Sequence, residues 1–164
     1  MRKINVLQFI CPTGFYGAER WVLALNNNID PEKVRSYLAV TKEANSQLEI
    51  VNHFKSDEGK VFEIEVNSRF SISALISLCK LIKDTKIDII HTHGYKSDIL
   101  GIVAAKLTGI KSLSTPHGFG EHNDFKLRTY ISVGKYGLRF FDRIAPLSQQ
   151  LVDEVLEAGV AKNK

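Results

Sequence analysis

Cysteine is scarce: Cys11 and Cys79 are the only two in 164 residues, too few to staple a small fold with disulfides. Cys79 falls in an apolar helical stripe, where a buried reduced thiol is expected, and a reducing cytoplasm fits both residues. Long apolar runs are missing as well. No stretch approaches the ~20 residues of a membrane span, and Met1 to Ile4 leads into a short β-type run without an apolar h-region or cleavage site, so no signal peptide is read. Repeats, low-complexity tracts and Pro/Ser-rich linkers are lacking, which leaves no internal boundary and makes 1–164 one domain. Neither sign of charge dominates, since 22 basic residues against 18 acidic, a formal +4, are spread along the chain. That footprint is too diffuse for nucleic acid and allows only weak attraction to an anionic surface. The fingerprints G-x-G-x-x-G and G-x-x-x-x-G-K-[ST] are also missing, which argues against a nicotinamide enzyme and a P-loop ATPase.

What is present is an alternation. Short Val/Ile/Leu-rich runs, of the kind found in strands covered on both faces, read as strands over 4–10, 36–40, 61–66, 88–91, 112–115 and 143–146. Between them lie segments of helical period over 17–27, 47–54, 71–85, 97–107 and 125–141, with a last helix over 149–158. In the third of these, Leu75, Leu78, Cys79 and Ile82 recur at three- and four-residue spacing while Lys80, Lys83 and Asp84 turn to water. Ser71, Ser97 and Ser148 stand where an N-cap is wanted, and Gly109 and Gly159 stand just past helix ends. The pattern predicts an α/β fold built on a doubly wound, Rossmann-like parallel sheet. Such a sheet usually continues after a sixth helix, so the polar stretch from Gly159 to Lys164 is expected to lead onward into a further strand.

Right-handed β-α-β winding puts every loop that follows a strand at one edge of the sheet, where residues distant in sequence meet in a crevice. That edge collects Gly14 and Gly17 after the first strand, His91, His93 and Gly94 after the fourth, His117, Gly118 and His122 after the fifth, and Ser148 after the sixth. Four of the five histidines fall there. In the loop from Cys11 to Arg20, glycine lets the backbone approach a ligand, and the following helix start offers N–H groups to a phosphate or a sugar hydroxyl. A tight turn that simply needs glycine is the other reading of the same letters.

His91 and His93 alternate at the end of a buried strand, which points both imidazoles to one side. Backbone hydrogen bonding is the plainer reading of each. In Ser114-Thr115-Pro116-His117-Gly118-Phe119 the proline ends the strand and the glycine lets the chain turn, presenting His117 at the crevice mouth. His117 is the catalytic candidate, placed to hydrogen-bond a sugar hydroxyl or steady charge developing on a substrate. A zinc hydrolase built on His91, His93 and His117 is a further reading, but no cysteine or carboxylate spacing accompanies them and no metal is assigned. In the fifth helix Leu127, Ile131, Leu138 and Phe141 form a stripe, while Lys126, Arg128, Lys135 and Arg139 crowd neighbouring faces among Tyr130, Tyr136 and Phe140. That composition suits either contact with an anionic bilayer or a core stripe with a solvated basic face.

Together these segments resemble the N-terminal domain of group 1 glycosyltransferases, the retaining family 4, whose GT-B fold has two Rossmann-like domains facing a cleft. Gly17-Ala18-Glu19-Arg20 resembles the family's first-loop Gly-Gly-Ala-Glu-Arg, and Asp88 to Gly94 its Asp-apolar-apolar-His-x-His-small strand. Thr115-Pro116-His117-Gly118 resembles its Thr-x-His-Gly turn, and Asp142 to Ser148 its strand ending in serine. The resemblance implies transfer of a sugar, with retention, from a UDP- or GDP-sugar to a glycan or lipid-linked acceptor, as in polysaccharide biosynthesis, with no cofactor beyond that co-substrate. It implies that His117 reaches the transferred sugar and that Gly17 lies near the donor phosphates and the acceptor. Gly14, Glu19, Arg20, His91, His93, Gly94, Gly118 and Ser148 then line the substrate side. In the family a C-terminal domain holds most of the donor; these 164 residues lack it, so the chain alone is expected to be inactive. A cytoplasmic protein, peripheral on the inner face of the membrane, is the expected setting. One departure stands out: Tyr16 precedes Gly17 where the family has paired glycines, with Gly14 displaced, which predicts a less open loop. A free-standing module that binds carbohydrate or an anion without chemistry is the contrasting reading.

Overall fold

The computed structural model describes residues 2–43, 48–56, 58–66, 71–119 and 125–164, with side chains in the last stretch from 128 onward. Strands and helices alternate along it: β1 (Ile4–Ile10), α1 (Gly17–Asn28), β2 (Val34–Lys42), α2 (Glu49–His53), β3 (Val61–Glu65), α3 (Ile72–Asp84), β4 (Ile89–His93), α4 (Tyr95–Thr108), β5 (Lys111–Thr115), α5 (Phe125–Gly137), a 3-10 turn (Leu138–Phe140), β6 (Arg143–Ile144) and α6 (Gln149–Glu157). The strands pair in parallel in the order β3-β2-β1-β4-β5-β6. This is the doubly wound, Rossmann-like sheet that the alternation predicts, and the winding reverses between β1 and β4.

Side-chain alternation along the strands sorts the layers. Ile10 of β1 and Leu38 and Val40 of β2 pack with Val22 of α1 and Ile50 of α2. Their neighbours Leu7, Phe9, Tyr37 and Ala39 point the other way, against Leu78 and Ile82 of α3 and Ala104 and Ala105 of α4. A third cluster joins Ile102 of α4 to Ile131 of α5 and Leu151 and Val155 of α6. At 20–33 cal/mol per Å² of apolar surface, burial on both sheet faces is the main drive that holds these layers together.

Several boundaries differ from those the sequence predicts. β4 starts at Ile89 and runs through His93, and just ahead of it the Asp88 carboxylate accepts from the Asn5 N–H at 2.8 Å and pairs with Arg2 at 2.6 Å. Ser97 does not cap α4. Gly94, at φ 91°, takes the N-cap position, and the Ser97 hydroxyl sits one turn inside, donating to the Gly94 carbonyl and accepting from the His93 N–H. Ser71 and Ser148 do cap α3 and α6, accepting from Ala74 and Leu151, and Gly109 closes α4 in the left-handed region at φ 74°. The fifth helix ends at Gly137 and tightens into the 3-10 turn, while β6 is only two residues long. Ile131, Leu138 and Phe141 are buried as expected, and Tyr130, counted among the outer aromatics, is buried with them. The Leu127 side chain and His122 lie outside the described residues.

α4 reaches β4 closely because Gly101 has no side chain: a Cβ there would fall 2.3 Å from Thr92 Cγ2. Gly101→Ala is expected to cost about 1–3 kcal/mol through this overlap, read as a lower urea midpoint with an unchanged m-value. An unshifted midpoint would show that α4 has room to spare.

Candidate functional site

The loops leaving β1 and β4 diverge where the winding reverses, which opens a crevice at the carboxyl ends of the strands. β1 and β4 pair with Gln8 opposite His91 and Ile10 opposite His93. Even-numbered β1 side chains face α1, so Gln8 shares that face, and with it the two histidines. The His93 Nε2 meets the Gln8 Oε1 at 2.8 Å, and the His91 Nε2 meets the Thr115 Oγ1 of β5 at 2.8 Å. With the amide oxygen of Gln8 facing it, His93 donates from Nε2, which leaves Nδ1 a bare acceptor. The His91 and His93 ring centroids are 4.2 Å apart, and those of His93 and His117 are 5.8 Å apart.

Trp21, one turn into α1 from Gly17, closes the group. Its ring lies 6.1 Å from His91, 5.6 Å from His93 and 5.7 Å from His117. Residues from the first, fourth and fifth β-α units therefore meet on one rim. Three polar atoms in the cluster are buried and have no partner among the described residues: Gln8 Nε2, His93 Nδ1 and His117 Nε2. Buried polar atoms without partners are uncommon, and three together in a crevice mark a place where a ligand or water can bind.

Burial sets the charge here. Desolvation lowers the His91 imidazole to about 3, helped by the nearby His117, and holds His93 well below its usual range. Desolvation also lowers His117. At neutral pH all three rings are uncharged. On the other face of β4, under α4, Asp98 is buried and accepts from the Thr92 and Ser114 hydroxyls. Burial raises its carboxyl to about 7 against the pull of those two hydrogen bonds. Among the described residues no group of three or more His, Cys, Asp or Glu side chains is arranged to hold a metal ion, and the Nε2 atoms of His91 and His93 are already engaged.

The other residues singled out in the sequence fall into different places. Gly17 opens α1, and a Cβ there would meet nothing within 4 Å, so the backbone at the helix start is uncrowded on that side. Gly14 sits under Tyr16, whose ring a Cβ would strike at 2.3 Å. Glu19 is buried and accepts the Tyr16 N–H at 2.9 Å, which ties the loop to the first turn of α1. Arg20 is exposed with its guanidinium over the Phe15 ring at 5.5 Å. Gly94 and Gly118, at φ 91° and 110°, turn the chain directly after His93 and His117. Ser148 follows the edge strand β6, two strands from β4 and so roughly 10 Å along the sheet, and takes no part in the ring cluster.

Trp21 and Gln8 were not anticipated. Trp21 lies four residues after Gly17, on the same helix face, and Gln8 is a lone amide in an otherwise apolar strand end. Gln8 is the one with a signal that could have found it, since a polar residue inside an apolar strand is informative where a leucine is not.

The profile of Glycosyltransferase Family 4 matches residues 15–164. An Escherichia coli relative, UDP-Gal:alpha-D-GlcNAc-diphosphoundecaprenol alpha-1,3-galactosyltransferase, is 51% identical over 49 residues, 29% of this chain and 13% of its own. Among solved structures, HepE of Anabaena in complex with UDP and glucose is similar with a TM-score of 0.72 at 16% identity, over 98% of this chain and 42% of its own. The apo form of the lipopolysaccharide outer core galactosyltransferase WaaB gives 0.71 at 15% identity, over 96% and 43%. A UDP-N-acetylglucosamine 2-epimerase gives 0.69 at 20%, over 99% and 47%. At these identities the structures show the shared fold, and the chain spans less than half the length of each.

The buried ionisable groups give a pH dependence of stability with a definite sign. His91, His93 and His117 prefer the neutral form in the fold but protonate near 6.5 when unfolded, so their contribution is full above that value and erodes as the pH falls below it, for His91 down to about 3. Asp98, raised from 3.8 to about 7, acts in the opposite sense, contributing below its ordinary value and losing that contribution as the pH rises through about 7. Three rings outweigh one carboxyl. Stability followed through Trp21 fluorescence in urea is therefore expected to rise between about pH 4.5 and 6.5, and Asp98→Asn to steepen the rise by about one proton. A flat profile would contradict the buried neutral cluster.

Proposed function

We propose a function for this chain from one premise: it belongs to glycosyltransferase family 4. It is the acceptor-side domain of a transferase whose second domain holds most of a UDP- or GDP-sugar, with retention at the transferred carbon and a glycan or lipid-linked acceptor. Two named proteins support the choice of substrates. HepE of Anabaena is seen with UDP and glucose, and the Escherichia coli relative is named for a UDP-galactose donor and a diphosphoundecaprenol-linked acceptor.

The observation that carries the reading is the uncharged imidazole rim. Glycosyl transfer passes through an oxocarbenium-like state with positive charge growing on the sugar, and a protonated histidine beside it would raise the barrier. Desolvation keeps His91, His93 and His117 neutral. His117, partly exposed and with a buried Nε2 that has no partner among the described residues, is free to hydrogen-bond a hydroxyl of the transferred sugar. Gly17 leaves the backbone uncrowded at the start of α1, where donor phosphates can approach the backbone N–H groups, with Gly94, Gly118, Arg20 and Ser148 along the same edge. Gly14 and Glu19 shape that loop from beneath. In this reading the nucleotide-sugar is a co-substrate, with no resident cofactor and no metal.

The setting follows from the same reading. No helix among the described residues is long and apolar enough to cross a membrane. The outward face of α5 and its 3-10 turn exposes Arg128, Val133, Tyr136, Arg139 and Phe140, a basic and aromatic surface suited to peripheral contact with an anionic bilayer. A cytoplasmic role in polysaccharide biosynthesis, at the inner membrane face, is consistent with it.

The complete gene product is expected to transfer or slowly hydrolyse a UDP- or GDP-sugar, and His117→Ala to lower kcat by about 100-fold. Unchanged turnover in that variant would remove His117 from the reaction. Epimerised donor without transfer would move the protein to the other activity this fold carries.

A further inference from the structure

Gln8 is a polar residue in an apolar place. It shares the α1 face of the sheet with Ile10 of β1 and with Leu38 and Val40 of β2, and it is only 1% exposed. Burying an amide costs free energy unless its hydrogen bonds are made, and a leucine or methionine would fill the same space without that cost. Only half of the amide is used: Oε1 faces the His93 Nε2 at 2.8 Å, while Nε2 has no partner among the described residues. Packing therefore gives no reason for an amide at this position, and the contact with His93 does.

What an amide supplies is orientation without charge. Histidines at functional sites are commonly held by a carboxylate, and a carboxylate at this distance from the His93 Nε2 would favour the imidazolium. The amide oxygen accepts the same proton and fixes the same ring, but adds no negative field. Other ionisable groups around the ring leave that effect unopposed. Burial first, and then His91 of the same strand and His117 beyond β5, oppose a charge on His93. From α1 comes the Trp21 ring, while Glu19 is turned to the Tyr16 N–H and Arg20 to the Phe15 ring. Asp98 lies on the other face of β4, held by Thr92 and Ser114.

The same contact reaches His117 through its neighbours. His91 is the register partner of Gln8, and its ring centroid lies 4.2 Å from that of His93. The His91 Nε2 in turn meets the Thr115 Oγ1 at 2.8 Å, two residues before His117. A tilt of the His93 ring would press on His91 and, through Thr115, on the turn that carries His117. We propose that Gln8 is a positioning residue for glycosyl transfer: its amide oxygen holds the His93 ring with Nδ1 as acceptor and keeps a counter-charge away from the rim. The proposal rests on the transferase reading and deepens it, because the uncharged rim then depends on a neutral partner as well as on burial.

The test compares Gln8→Glu, nearly isosteric but ionisable, with Gln8→Met, nearly isosteric and apolar. In the full chain with ¹⁵N-labelled histidine, Gln8→Glu is expected to carry His93 to the imidazolium at pH 7. Gln8→Met is expected to leave that ring neutral, with its proton shared between Nε2 and Nδ1. In the complete gene product, Gln8→Glu is expected to lower kcat about 100-fold at pH 7 and to recover as the pH rises past the new titration, a limb missing from the unaltered enzyme. Gln8→Met is expected to lose about tenfold at every pH. A purely structural role predicts equal losses and one pH profile for both variants, and that result would overturn the proposal. So would a neutral His93 ring in Gln8→Glu, or undiminished kcat with a single His93 tautomer in Gln8→Met. If the unaltered complete product neither transfers nor hydrolyses a UDP- or GDP-sugar, the transferase reading falls and the role in transfer with it, while the ring shifts still report whether Gln8 governs His93.

Discussion

The parallel register between β1 and β4, with Gln8 opposite His91 and Ile10 opposite His93, is the constraint on which the rim depends. These strands are separated by two complete β-α units in sequence, and the reversal of winding makes them neighbours. Side-chain alternation then decides which residues share a face. A shift of one residue would carry both imidazoles to the α4 side and place Thr92 against Trp21. The register is held from both sides, since Phe9 and Ile90 belong to the apolar core under α3 and α4.

From that register follows a separation of polar groups by sheet face. On the α1 side, burial strips the imidazoles of their charge and leaves three hydrogen-bonding atoms unused. On the α4 side, Asp98 gathers the Thr92 and Ser114 hydroxyls beneath the helix start. Adjacent residues of one short strand, His91, Thr92 and His93, thus serve two different networks. The carboxylate anchors the helix to the sheet, and the imidazoles remain available at the crevice. Neutral rings give the rim hydrogen-bonding capacity without a cation's field, the property on which the proposed transfer relies.

Much of this was legible in the sequence because the fold is written in local periodicity. The short Val/Ile/Leu-rich runs gave the strands, and the three- and four-residue spacing around Leu78 and Ile82 gave α3 with its buried face. The meeting of Gly17, His93 and His117 on one edge followed from the handedness of β-α-β units. What was missed depends on contacts between distant residues. Ser97 has the composition of a cap, but Gly94 alone can take φ 91° at the sharp exit from β4, and that moved the helix start upstream. Glu19 carries a family motif, yet its carboxylate is turned inward to the Tyr16 N–H. Trp21 and Gln8 carry no motif, and only the packing of α1 over β1 and β4 brings them to the histidines.

The chemistry of the rim depends on imidazoles that burial keeps neutral in a fixed arrangement. The most direct measurement is ¹⁵N NMR of the histidine side chains as the pH is lowered from 8 to 5. Neutral-ring shifts throughout for His91 and His93, with the His93 proton on Nε2, are predicted. Titration of either ring near the ordinary value of 6.5 would show a solvated, charged rim and contradict the account.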